Sequence, residues 1–162
     1  IDDVMAAIDL RGLLEAAAAQ QAAERGVSAA ELKELNELLA EMDGIIQDGK
    51  FQDYDTLNQD FHTTLTDCCH SPILIDEVKR SYRFPFAGPS AFPSTPTLSL
   101  MDSTPNILLG QTHHRQIVEA LENRQSDRIF ALVREHARLA HAHVQLAART
   151  DTSLPQLALV KA

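Results

Sequence analysis

Residues 57–68 read LNQDFHTTLTDC, and the period of this stretch decides the fold. Leu57, Phe61, Leu65 and Cys68 follow one another at steps of four, four and three. That spacing makes one apolar face of an α-helix, whereas a half-buried strand would need strict alternation. Asn58 and His62 sit one step around the helix, stacked as an i, i+4 pair at the edge of the buried face. A histidine there is either a satisfied member of the core or a group facing something that needs an imidazole.

Outward from this helix, Gly, Pro and N-cap residues cut the chain into further helices, and no segment carries a period of two. The expectation is an all-α protein. A first helix runs from about Asp2 to Arg25 and stops at Gly26; Ser28-Ala-Ala-Glu31 has capping-box spacing and opens a second, reaching about Gln47 before Asp48-Gly49. These two are expected to form an antiparallel hairpin. The helix of the opening stretch begins near Asp53 or Asp55 and ends near Cys68. Ser71-Pro72 caps a short fourth helix, ILIDEVKRSYR.

The next segment, FPFAGPSAFPSTPTLSLMDSTP, holds five of the seven prolines and cannot be one continuous helix. It reads as a functional loop or lid, with a flexible linker as the alternative, and the cationic and aromatic content of Arg83, Phe84 and Phe86 suits closing one side of a cavity, against plain loop packing. A fifth helix covers about Asn106 to Asn123, and Ser126-Asp127 caps a sixth that continues to about Arg149. Residues 151–162 form a weakly specified tail.

With 162 residues the chain has the size of one domain with one sizeable core. Twenty-three acidic against fourteen basic side chains give a net charge of −9, a surface that repels a phosphate backbone. No apolar run is long enough to cross a bilayer. Cys68 and Cys69 are adjacent, poorly placed for a structural disulfide, and fit a reducing cytoplasm. The chain opens on Ile, already in helical sequence, so it reads as the remaining part of something longer.

Seven histidines invite a metal hypothesis, and helical position sorts them. His114 shares a face with Ile117, Val118 and Leu121, and His136 falls among Ile129, Leu132, Val133 and Ala140, with His143 two turns further on. Both are expected to point inward, as His62 does from its own helix. His70, His113 and His141 fall off these stripes and read as surface or cap residues. Each inward histidine alone is a plain core residue. Three of them on three helices would each need a partner for a buried ring nitrogen, and one divalent cation satisfies all three, with Asn58 offering a carbonyl oxygen.

At this point the motifs carry a resemblance. DLRGLLEAAAAQQAAER, LNQDFHTTLTDCCHSPIL and THHRQIVEALENRQSDRIFALVREH resemble the successive segments of the effector-binding C-terminal domain of GntR-family transcription regulators of the FadR subfamily, the FCD domain. The similarity covers almost the whole chain. It implies an antiparallel bundle of six to seven helices over residues 1–150, serving effector binding and dimerisation, with a winged helix-turn-helix domain lying outside the chain. It implies a metal held by Asn58, His62, His114 and His136, the first position being commonly Asp in the family. Zinc is the expected ion, with Ni or Fe as alternatives.

The resemblance also makes Arg11 a clamp for a carboxylate effector, where the bland reading is a surface ion pair with Glu15 at i+4. Arg83 is a second candidate for the effector. The effector is expected to be a small carboxylate, an aromatic acid, a hydroxy acid or a sugar acid, with the phenylalanines near the loop favouring the aromatic acid. The function so implied is ligand sensing by a regulator, a repressor that meets operator DNA only through its other domain, acts as a homodimer, has no membrane partner and catalyses nothing. Two other readings remain open: a mononuclear His-ligated metalloenzyme, which lacks an evident general base here, and an interaction bundle with neutral core histidines.

Overall fold

The computed structural model describes residues 2–84, 88–89 and 100–150, and among them there are six α-helices and no strand. They are α1 (Asp2–Arg25), α2 (Ala29–Asp48), α3 (Tyr54–Asp67), α4 (Pro72–Ser81), α5 (Leu100–Glu122) and α6 (Ser126–Thr150), with a single 3₁₀ turn (Phe51–Asp53) before α3. No helix among the described residues is long and apolar enough to cross a membrane.

Local chemistry sets the boundaries. Gly26 ends α1 at φ +82°, a conformation that side chains resist. Ser28 then accepts from the Glu31 amide while the Glu31 carboxylate accepts from the Ser28 N–H, completing the expected capping box. Gly49, at φ +69°, closes α2 by donating to the Ile45 and Ile46 carbonyls. Ser71 accepts from the Leu74 amide, with Pro72 at the first position of α4, where a missing N–H costs nothing.

Two expectations are corrected. The fifth helix begins at Leu100 rather than near Asn106, and Pro105 lies inside it. At the sixth position, past the first turn, proline removes one backbone bond and its ring crowds the carbonyl four residues back, near enough to the helix start to leave the later ladder intact. The first two helices do not make the expected hairpin: α1 lies chiefly against α6, while α2 packs on α3 and α5. The face of α1 explains this. Ala7, Gly12, Ala16, Ala18, Ala19, Ala22 and Ala23 are buried, and so thin a stripe admits a long helix at close range. At Gly12 an added Cβ would stand 2.6 Å from the Ala137 Cβ of α6.

The main core brings Leu35, Leu39 and Met42 of α2 together with Phe61 and Leu65 of α3, Ile117 and Leu121 of α5, and Ile129 and Val133 of α6. Burying a side chain such as Phe61 contributes about 1.5–3 kcal/mol. Val4, Ile8 and Val144 form a smaller cluster where α1 meets the later part of α6. Both cysteines are free and buried; burial, reinforced by Glu31, Glu34 and Asp67, pushes the Cys68 thiol up to about 12. The tail, Phe86 and the His143 side chain lie outside the described residues.

Candidate metal centre and effector cavity

Four helices deliver one polar cluster into this apolar interior. From α1 come Arg11 and Glu15, one turn apart; from α3 come Asn58 and His62, also one turn apart; α5 brings His114 and α6 brings His136. His62 and His114 are buried, His136 nearly so. The His136 Nε2 lies 3.1 Å from His62 Nε2 and 3.1 Å from His114 Nε2, so the three rings meet through the same kind of atom. Their candidate ligand atoms all fall within 4.8 Å of one another. The Phe61 ring stands 4.4 Å from that of His114 and walls the cluster on the core side.

Electrostatics keep two of these rings neutral. Burial holds His114 well below the ordinary imidazole range, helped by His62, His113 and Arg115. Burial does the same for His136, with His114, His62 and Arg11 adding to it and Glu15 opposing. Neutral imidazoles are the ligating form. For Glu15, burial alone would raise the carboxyl, but Arg11, His62 and the Tyr82 hydroxyl together outweigh it and hold it at about 2. Tyr82 donates to Glu15 Oε1 at 2.7 Å. The His62 Nδ1 faces Glu15 Oε2 at 3.4 Å, without the alignment of a hydrogen bond.

Nitrogen spacing supports a metal. Two imidazole nitrogens on one first-row divalent ion stand about 2.9–3.4 Å apart for octahedral or tetrahedral sites, and both measured pairs fall in that interval. The proton count gives an independent argument. The His136 Nδ1 is buried with no hydrogen-bond partner among the described residues. A proton there is a stranded donor; a proton on Nε2 must serve two facing nitrogens and strands the other ring atom. The three histidines could thus hold a metal ion, whose charge would give all three lone pairs one partner.

Beside them is a cavity of about 30 Å³ lined by Arg11, Asn58, Asn106, His136 and the buried Pro89, with Ile107 and Gly110 among the apolar walls. Arg11 is 3% exposed, which overturns the surface-pair reading. Its Nη1 stands 3.8 Å from Glu15 Oε1, beyond hydrogen-bond range, and its Nε is buried with no acceptor among the described residues. A guanidinium donates only, so this is buried capacity for an anion. Asn58 donates from Nδ2 to the Pro89 carbonyl at 2.9 Å, tying the proline-rich segment to the cavity.

The sequence points to six site positions. The structure gathers His62, His114 and His136 at one point and sets Arg11 and Asn58 on the adjoining cavity. Arg83 is exposed in the turn after α4 and is not among the described residues lining that cavity. His70 is exposed and pairs with Glu31, while His113 and His141 are half-buried rather than fully on the surface. Sequence reading passed over Glu15 as a neighbour of His62, and Gln111, whose Oε1 lies 3.1 Å from His114 Nδ1. A signal was present for both: Glu15 is one turn from Arg11, and Gln111 is three residues before His114.

No match is found among curated proteins. A family model described as the FCD domain matches residues 6–139, a span that contains the three clustered histidines together with Arg11 and Asn58 of the cavity. The chain therefore belongs to the FCD domain family, the ligand-sensing regulatory domains of GntR-type regulators.

Proposed function

We propose that the domain holds one divalent cation, zinc first among candidates, through His62, His114 and His136 with Asn58 as oxygen donor, and that a compact carboxylate effector binds beside it on Arg11. The observation that carries this reading is the meeting of three Nε2 atoms in a buried pocket, two pairs at 3.1 Å. A bound cation would supply an open position for an effector oxygen. The chain's own residues do the selecting: Arg11 brings a guanidinium with an unused Nε–H, and Ile107 and Gly110 limit the width of what it can clamp. Of the three acid classes a hydroxy acid demands the least room, and a cavity of about 30 Å³, about the share of one water, must widen to admit even that.

In the whole regulator this binding event would bias the orientation of a DNA-binding domain outside residues 1–162 and so set operator affinity, with the protein acting as a dimeric repressor. The net charge of −9 supports leaving DNA contact to that other domain. The reading is tested by elemental analysis of protein purified without chelator, followed by calorimetric titration with a panel of two- to six-carbon hydroxy acids. Stoichiometric metal, and acid binding that disappears on stripping it, are the expected results. Metal-free protein that gains neither thermal stability nor acid affinity from added zinc would make the histidines core residues.

A further inference from the structure

Gln111 lies directly behind His114, on the side away from the other two histidines. It is 1% exposed, and its Nε2 donates to the Leu39 carbonyl at 3.1 Å and to Asp43 Oδ1 at 2.8 Å. These two acceptors allow the amide one orientation, because turning it over would set Oε1 against a carbonyl and a carboxylate. Oε1 therefore faces His114 Nδ1, at 3.1 Å. An amide oxygen only accepts, so Nδ1 must be the protonated nitrogen. A neutral imidazole has one N–H, which leaves the lone pair on Nε2, the atom 3.1 Å from His136 Nε2.

Asp43 is itself fixed from outside. Arg115, half exposed, donates to the same Oδ1 that Gln111 uses, at the rim of an open groove between α2 and α5 lined by Asp43, Arg115, Leu39 and Val118. Arg115 follows His114 directly, so α5 carries both ends of a chain running Arg115, Asp43, Gln111, His114. Glu15 stands behind His62 in a comparable place, but at 3.4 Å and poorly aligned it fixes its ring less firmly.

We infer that Gln111, oriented by Asp43, is a positioning residue that fixes the His114 tautomer so that Nε2 offers its lone pair to the metal site. The consequence for metal affinity rests on the metal reading above; the tautomer does not, and can be read in protein stripped of metal. The test uses the full chain and long-range ¹⁵N–¹H correlation of the histidine rings, first in chelator and then with zinc alone. Wild-type His114 should be protonated at Nδ1 in both states.

Gln111→Met, nearly isosteric but without the acceptor, should give a mixed or Nε2-protonated His114 and weaken zinc by about 10–100-fold. Asp43→Ala, which leaves the Leu39 carbonyl as the one remaining acceptor that orients the amide, should move the tautomer in the same direction but by less. If Gln111→Met does not fold, the wild-type and Asp43→Ala spectra still decide. A wild-type His114 protonated at Nε2, or a Gln111→Met protein with unchanged tautomer and zinc affinity, overturns the inference. Should wild-type His114 be Nδ1-protonated while zinc fails to bind, the metal reading falls and the role of Gln111 in setting the tautomer stands.

Discussion

The Nε2 atoms of His114 and His136 stand 3.1 Å apart, and burial holds both rings in the neutral form. Two such nitrogens attract each other only through a shared proton or a cation. Removing either ring should therefore abolish stoichiometric metal binding: His114→Ala and His136→Ala should bind no zinc by calorimetry. Zinc at a hundredfold excess over Kd should stabilise the wild type by about 2.7 kcal/mol, which is about 5–10 °C in Tm for a domain of this size, and leave both variants unmoved. An equal rise in Tm for wild type and variants would place the zinc elsewhere.

The same neutrality predicts a pH dependence of the metal-free protein. His114 and His136 have folded-state pKa values below the ordinary 6.5, so below that pH the unfolded chain takes up protons that the folded one refuses. Stability should be fully present above about pH 6.5 and should fall as the pH drops, by about 1.4 kcal/mol per pH unit for each such histidine. Urea unfolding in chelator at pH 7.5, 6.5 and 5.5 measures this, in a range above most carboxylate titration. His136→Gln should flatten the slope by about one proton. Identical slopes would mean that His136 is charged, or exposed to water, in the folded protein.

Much of this site was legible in the sequence because helical period converts spacing into direction. Leu57, Phe61 and Leu65 fix which way α3 faces, and so place His62; Ile117 and Leu121 do the same for His114, and Ile129 and Val133 for His136. What period cannot give is which helices become neighbours. The partnership of α1 with α6 depends on a stripe of Ala and Gly whose length and thinness matter more than its hydrophobicity, and a reading weighted toward Leu and Ile passes over it. The depth of Arg11 follows from that partnership, so an i, i+4 pair that resembled a surface contact lies in the interior. Asp43 and Gln111 are 68 residues apart and meet only after α2 and α5 have packed.

Arg11→Lys separates the charge at this position from its shape. Lysine keeps a cation near Glu15, so the fold should be little disturbed, but it lacks the planar fork that grips a carboxylate. Effector affinity should fall by about 1.5–3 kcal/mol, the range for hydrogen bonds to a charged group, with zinc affinity retained. Calorimetry with the best acid of the hydroxy-acid panel, on zinc-loaded protein, checks this. Unchanged acid affinity would remove Arg11 from the effector site.

Gly12→Ala tests the contact between α1 and α6. The added methyl carbon would stand 2.6 Å from the Ala137 Cβ, closer than two carbons can approach, and neither helix has a flexible side chain there to yield. A loss of about 1–3 kcal/mol is expected from overpacking, read by thermal or urea unfolding in chelator. Restoration of stability by Ala137→Gly in the double variant would locate the strain at this pair. Wild-type stability of Gly12→Ala alone would mean that the helices lie further apart.

Asn58→Asp sets two effects of one atom against each other. A carboxylate oxygen is a stronger donor to a divalent cation than an amide oxygen, so the change should tighten zinc. The amide nitrogen, however, donates to the buried Pro89 carbonyl at 2.9 Å, and aspartate would put a second acceptor in its place. The metal-free variant should therefore be less stable than wild type by about 1–3 kcal/mol, the cost of stranding a buried polar group. Zinc should recover much of this loss, because the cation neutralises the new carboxylate while the Pro89 contact stays broken. The measurable signature is a wider gap in Tm between stripped and zinc-loaded protein than in wild type, with the stripped value lower. A gap equal to that of wild type, reached with unaltered zinc affinity, would show that the side chain at this position contributes nothing to the metal site.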